Sequence, residues 1–286
     1  MRNRPKIAIV GPGRLGSALA MELSRAGYKI VEVVSRNSAC SRRKARELAK
    51  RVRARAADER NATLDADLIW LCVPDREIAS VARRLAKRVR WEGRAAVHSS
   101  GALASDELHP LRKRGAAVAS VHPLMTFVTG SVPSLKGVPF AMEGDAGALR
   151  LARRIALDLG ADPFTIRQQD KAAYHAWGAF ASPLLVALLV SAEQVAKVAG
   201  VAPVESRRRM MPIVRQTIAN YAALGPAGAV SGPLVRGDVE IVGKHLQVLK
   251  KAPHAEDVYL SLARLTLRHL PVRQRAKLEK ALKRSR

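Results

Sequence analysis

The sequence predicts an open, doubly wound, mainly parallel α/β sheet over residues 1–167, followed by an all-α domain over residues 168–286. Three observations predict it. Short β-rich runs alternate with helical patterns through the first part of the chain. Those runs are nearly continuous in apolar residues, as strands covered on both faces must be. After Arg167 no convincing strand appears.

Residues 5–10, PKIAIV, read as a strand that ends at Gly11, and RLGSALAMELSRAG then carries helical apolar spacing closed by a glycine. YKIVEVVS is the next strand, CSRRKARELAKRV a helix, ADLIWLCVP a strand, and DREIASVARRLAKRV a helix with Asp75 as its cap. RAAVHSS and AAVASVHP add strands, and VPFAMEGD, a helix over 146–159 and DPFTIR close the domain. Helices are then expected over 168–199, 204–223, 238–251, 255–269 and 272–284, with breaks at Gly200, between Gly225 and Gly232, at Pro253 and at Pro271. Trp177–Val198 is apolar on too many faces for a simple surface helix. Burial in the domain or in a subunit contact is therefore expected, with a kink at Pro183.

With 286 residues, 48% of them hydrophobic, the chain is long enough for two packed cores and too apolar for disorder. The stretch Trp177–Val190 is interrupted by Ser182 and Pro183 and falls short of the roughly 20 residues that cross a bilayer, so no membrane span is expected. Cys40 and Cys72 are too few for a disulfide framework, and the basic start runs into a strand without a cleavage site of secretory type. A cytoplasmic location is expected, and no metal site. Fifty Lys and Arg against 24 Asp and Glu leave a formal charge of +26, an excess that attracts nucleic acid. Against that reading, the cations recur on the outer faces of many helices, aromatic content is 4%, and no nucleic-acid-reading motif occurs. Most of the charge reads as solvated surface, part of it steering anionic ligands.

Gly11-Pro12-Gly13-Arg14-Leu15-Gly16 fits G-x-G-x-x-G between a strand and a helix. In that setting one glycine makes the tight turn, one lets the backbone approach a pyrophosphate, and one lets helix and strand pack closely. The end of the next strand selects the cofactor. An acid there takes the ribose 2′-OH of NAD, whereas a hydroxyl and an arginine accommodate the 2′-phosphate of NADP. This chain has Ser35 and Arg36, while Glu32 lies too early in the strand, so NADP is favoured over NAD. Arg42 and Arg43 either reinforce that site or belong to a solvated basic face.

Together with Val73-Pro74-Asp75, His98-Ser99-Ser100-Gly101, His122-Pro123-Leu124, Lys171-Ala-Ala-Tyr174-His175 and Gly232-Pro-Leu-Val-Arg-Gly-Asp238, the glycine turn gives the chain a resemblance to a known family. It resembles an uncharacterised group of Rossmann-like oxidoreductases with a helical C-terminal domain of unknown function. More distantly it is similar to pyrroline-5-carboxylate reductase, the β-hydroxyacid dehydrogenases and 6-phosphogluconate dehydrogenase. The resemblance implies that Val73, Pro74 and Asp75, with His98 and Ser99, form cofactor-side loops after the fourth and fifth strands, and that the helical domain pairs two subunits. Short polar clusters ending apolar strands agree with ligand binding beyond the carboxyl ends of a parallel sheet. His98 reads equally as a strand-end histidine bonded to backbone, and Ser99 and Ser100 as ligands of a substrate carboxylate or of local backbone. His122 is open in the same way. The resemblance also implies a catalytic lysine at Lys171, although relatives carry asparagine where this chain has His175, and Ala181-Ser182-Pro183 replaces an expected Ala-Ser-Asn. At i and i+4 on a helix, Lys171 and His175 share a face and can converge on one group, donating a proton as hydride arrives, with Ser100 beside them. Arg236 and Asp238 either orient each other or Asp238 caps a helix. The expectation is an NADP-dependent oxidoreductase acting on a small carbonyl, imine or alcohol. The alternatives are an NADP-binding sensor without chemistry and a basic nucleic-acid-binding protein on the same frame.

Overall fold

The computed structural model describes residues 4–283. In chain order the elements are β1 (Ile7–Val10), α1 (Arg14–Arg25), β2 (Ile30–Ser35), α2 (Ala39–Val52), β3 (Arg55–Asp58), β4 (Leu68–Leu71), α3 (Asp75–Leu85), β5 (Ala95–His98), α4 (His109–Arg112), β6 (Ala117–Pro123), β7 (Pro139–Gly144), α5 (Ala146–Asp158) and β8 (Asp162–Thr165). They are followed by α6 (Lys171–Ala181), α7 (Pro183–Val198), α8 (Pro203–Ala229), α9 (Pro233–Arg236), α10 (Val239–Leu249), α11 (Pro253–His269) and α12 (Arg275–Lys283). The expected helix over 272–284 begins later, at Arg275, and residue 284 lies outside the described residues.

The eight strands form one sheet in the order β3-β2-β1-β4-β5-β6-β7-β8. All pairings are parallel except β6 with β7, which is antiparallel. The strand order reverses around β1, which is where an open α/β sheet leaves a crevice beyond its strand ends. The apolar runs are explained by burial on both faces. Ile7, Ile9, Trp70 and Val97 meet side chains of α1, α2 and α5 on one side, while Ala8, Val10, Ile69 and Leu71 meet α3 and Leu111 of α4 on the other. One strand was not apparent in the sequence pattern. Arg55–Asp58 is a four-residue edge with only Ala57 buried, so it lacks the apolar run that marks its neighbours.

The chain divides into two compact units, one reaching Ala179 and one starting at Phe180. The expected continuous helix over 168–199 is interrupted. A 3-10 turn over Gln168–Asp170 leads into α6, and α7 begins anew at Pro183. Ser182 leaves helical geometry at φ −130° and ψ −83°, because a proline ring excludes the helical conformation in the residue before it. The next helix outlasts its expected end at 223, running to Ala229 with a single break at Gly225 (φ 70°, ψ 179°) ahead of Pro226. Within the second unit Val242, Leu246, Leu260, Ala263, Leu267, Leu278 and Leu282 of α10, α11 and α12 make a small core. The expectation that Trp177–Val198 is buried in its own domain is not met, since no residue of Pro183–Val198 is buried and Leu184, Val186 and Val190 stand 48%, 58% and 47% exposed. The stretch Gln168–Val198 is by length and composition alone apolar and long enough to cross a membrane, although its backbone breaks at Ser182.

Candidate functional site

The glycine turn joins β1 to α1, and two of its glycines are required by the protein itself. At Gly11, with φ 101°, a Cβ would lie 2.7 Å from the Cys72 carbonyl oxygen. At Gly16 a Cβ would lie 2.1 Å from the Gly11 carbonyl oxygen, so α1 packs directly on the turn. Gly13 is different. A Cβ there would approach only the Cys72 carbonyl oxygen, at 4.0 Å, which leaves the space above the turn open. That is the division of labour a pyrophosphate-binding turn needs.

Beyond this turn a cavity of about 180 Å³ is lined by Gly11 and Gly13, by Val73 and Pro74 after β4, and by Ser35 and Arg36 after β2. Ser41 and Lys44 from α2, Glu59 after β3, and Glu77 and Arg84 from α3 also line it. Of the expected cofactor residues, Arg14 is exposed and faces a neighbouring cleft that also takes in Lys44, Arg51 and residues 128–132, whereas Leu15 is half-buried against the sheet core. The Ser35 hydroxyl is buried and donates to the Arg36 carbonyl at 3.1 Å. Glu32 faces away from this cavity, buried and occupied by Arg55 at 2.6 Å and by the Leu64 amide at 2.8 Å. Arg42 and Arg43 are exposed and do not line the cavity.

The loops after β4 and β5 are tied together. Asp75 is the first residue of α3 rather than its cap, because Pro74 holds the extended cap position, and the freed carboxylate accepts from the Ser100 hydroxyl at 2.8 Å. Ser100 Oγ also accepts from the amides of Ala102 and Leu103. His98 is fully buried. Its Nδ1 accepts from the Ser100 amide at 3.1 Å, which leaves Nε2–H to donate to the Ala104 carbonyl at 2.9 Å. Burial pushes its pKa down to about 4, so the ring is neutral and shapes the loop instead of lining the cavity. The Ser99 hydroxyl accepts from the indole of buried Trp70 at 2.7 Å.

From α6, Lys171 reaches back under these loops. It is 1% exposed, and its ammonium donates to the Ser100 carbonyl at 3.1 Å and to the Ser120 hydroxyl at 2.7 Å. Burial lowers its pKa, opposed by the charges of Glu143 and Asp75. Ser120 and Glu143 are cross-strand partners of β6 and β7, and the Glu143 carboxylate is held by the amide and hydroxyl of Ser105 at 2.7 and 2.8 Å. His175 is on the same helix face but is exposed. A Cβ on Gly101 would lie 2.6 Å from its Cδ2 and 3.0 Å from His122 Nε2, so both imidazoles close on that glycine. His122 Nδ1 is hydrogen-bonded to the Tyr174 hydroxyl at 3.0 Å. Desolvation, with Lys171 and His175 nearby, pushes its pKa down to about 4, and burial pushes the Tyr174 hydroxyl up to about 12. Lys171 and His175 thus meet one backbone segment, Ser100–Gly101, at different depths. Reasoning from the sequence missed Ser120, though a polar residue two positions before His122 lies on the same strand face and signals it. Near the second unit's α10, Arg236 Nη2 pairs with Asp238 at 2.8 Å while Asp238 also occupies the cap position without a side-chain cap bond.

A mainly parallel sheet with a glycine turn opening on a strand-end cleft, followed by a helical unit, defines a Rossmann-type two-part protein. Residues 1–123 match the Rossmann-like domain, and residues 138–266 match a domain of unknown function, DUF2520. The chain therefore carries a Rossmann-like domain followed by a DUF2520 domain, as the motifs imply. No curated protein sequence gives a significant match. Among solved structures the chain is similar to a Bacteroides fragilis protein provisionally named an NADP oxidoreductase, at 24% identity, TM-score 0.76, and 91% and 97% coverage of the two chains. It is similar to a Thermotoga maritima protein at 24% identity, TM-score 0.71, and 97% and 98% coverage. A reductive aminase from Aspergillus terreus, solved with NADPH, cyclohexanone and allyl amine, aligns at 17% identity, TM-score 0.64, and 99% and 100% coverage. At these identities the likeness is one of fold.

Proposed function

We propose that this protein is an NADP-dependent oxidoreductase that passes hydride between the nicotinamide and a small carbonyl, imine or alcohol. The observation that carries this reading is the cleft over the glycine turn, where Gly13 leaves open space and Arg36 and Lys44 line the same cavity. Solved neighbours of the same fold include proteins with NADPH bound or NADP in their names, which supports the choice of cofactor. Gly11, Gly13 and the start of α1 would hold the pyrophosphate, Arg36 the 2′-phosphate, and Val73 and Pro74 the nicotinamide side. The bound cofactor supplies the hydride.

The chain's own residues supply the rest. Lys171 fixes the Ser100–Gly101 segment from below and places a positive charge behind it, which favours charge developing on a substrate oxygen or nitrogen there. His175, exposed on the next turn, presents its imidazole beside Gly101 on the solvent side of the same segment. Ser100 positions the loop through Asp75.

We propose further that two copies pair in the cytoplasm through the helical unit, whose α7 and α8 leave Leu184, Ile213 and Leu224 exposed. The decisive experiment is titration with NADPH followed by its oxidation across ketones, imines and cyclic imino acids. NADPH binding with turnover on part of that panel is expected. Tight binding with no turnover would replace the enzyme by a sensor, and salt-sensitive duplex-DNA binding without NADPH binding would overturn the cofactor as well.

A further inference from the structure

Two carboxylates line the cavity over the glycine turn, and one of them sits where it should conflict with a 2′-phosphate. Glu59 follows the last residue of β3, and its amide donates to the Ser35 carbonyl at 3.2 Å, next to Ser35–Asp58, the final register pair of β2 and β3. This places an acid at the carboxyl end of the edge strand, level with the position after β2 where NAD-reading proteins keep theirs. Arg36 and Lys44 share the cavity with it.

Glu59 is not free. Arg84 of α3 grips it in a two-pronged bridge, Nε to Oε2 at 2.6 Å and Nη2 to Oε1 at 3.1 Å. The carboxylate is mostly covered, with 18% of its side chain exposed, and Arg84 is 47% exposed. A guanidinium fork occupying both oxygens of a carboxylate cancels its charge and leaves it few lone pairs for a ribose. Glu77, the other acid of the cavity, is one helical turn from Ser80 and also faces Arg84, whose pKa is raised first by the Glu59 bond.

We infer that Arg84 is a specificity-determining residue that acts through Glu59: by neutralising this acid it makes an NADP-reading cleft out of one that would otherwise accept the 2′-hydroxyl of NAD. The inference rests on the dinucleotide reading above. Without Arg84, Glu59 repels a 2′-phosphate and accepts from a ribose hydroxyl. With Glu59 also removed, the repulsion disappears and Arg36 and Lys44 again decide.

The test is the ratio of NADPH to NADH dissociation constants, measured by nucleotide fluorescence on the full chain, so that any stacking of Arg84 on adenine cancels. Arg84→Met should move that ratio toward NADH by about tenfold, the size of one like-charge contact near a protein surface. Arg84→Met with Glu59→Gln should return it to the wild-type value, and Glu59→Gln alone should keep or strengthen the NADPH preference. An unchanged ratio in Arg84→Met overturns the inference. So does a shift that Glu59→Gln fails to reverse, because Arg84 then acts on the phosphate directly, and so does a loss of NADPH preference in Glu59→Gln. A wild-type chain that binds neither nucleotide overturns the cofactor reading together with this inference, whereas the other adverse results overturn this inference alone.

Discussion

The two units of the chain bury their apolar residues very differently. In the sheet unit, Ile7–Val10, Leu68–Leu71 and Ala95–His98 are buried at every position, with helices on both faces. In the helical unit, Pro183–Val198 has no buried residue and the 27-residue Pro203–Ala229 has only Ser206. A sheet sealed on both sides owes its stability to its own chain, whereas apolar helices left open would gain from any partner that covers them, by mass action, which is the pairing proposed above. The cleft over the glycine turn and the Lys171 network both belong to the self-sufficient unit.

The sharpest way to break this contrast is at Gly16. Gly16→Val is expected to destabilise the sheet unit by more than about 3 kcal/mol, since the new side chain must displace the Gly11 carbonyl, and urea unfolding would register the loss. Lys171→Met comes next. It should cut turnover about a hundredfold while NADPH affinity stays within about twofold, read as kcat against a binding titration. Unchanged turnover would remove Lys171 from the chemistry.

In the helical unit, Leu184→Asp with Ile213→Asp should leave the nucleotide affinity alone and shift the chain from dimer to monomer in sedimentation, with a change in the monomer's own stability of under about 1 kcal/mol. A monomeric wild type would refute the pairing. A further test is with pH. His98 and His122 titrate near 4 when folded against about 6.5 when unfolded, so between those values the unfolded chain binds more protons. Stability should therefore be full above pH 6.5 and fall as pH drops toward 4. His122→Asn should flatten that slope in melting temperatures measured from pH 7.5 to 4.5.

What was legible in the sequence follows the range of the interactions. The glycine turn is local, strand to turn to helix within ten residues of one another, and Gly11, Gly13 and Gly16 declare it. Pro183 likewise announces the break at Ser182. Arg55–Asp58 is a strand only because β2 lies beside it, so no periodicity gave it away. The Glu59–Arg84 bridge joins a loop to a helix and leaves no pattern in spacing. Lys171 could be suspected from its motif but not its burial, because a lysine is ordinarily exposed and groups distant in the chain, Ser100, Ser120, Glu143 and Asp75, make a sealed site tolerable. Asp75 looked like a helix cap until Pro74 took that position.

The Asp75–Ser100–Lys171 connection has a consequence for anyone redesigning the cleft. Ser100 holds Asp75 through its hydroxyl and Lys171 through its carbonyl, so the ends of β4 and β5 and the start of α6 behave as one mechanical part. Substitutions at Asp75 and Lys171 will be non-additive despite their separation in the chain, and a library that varies them independently will sample mostly broken combinations.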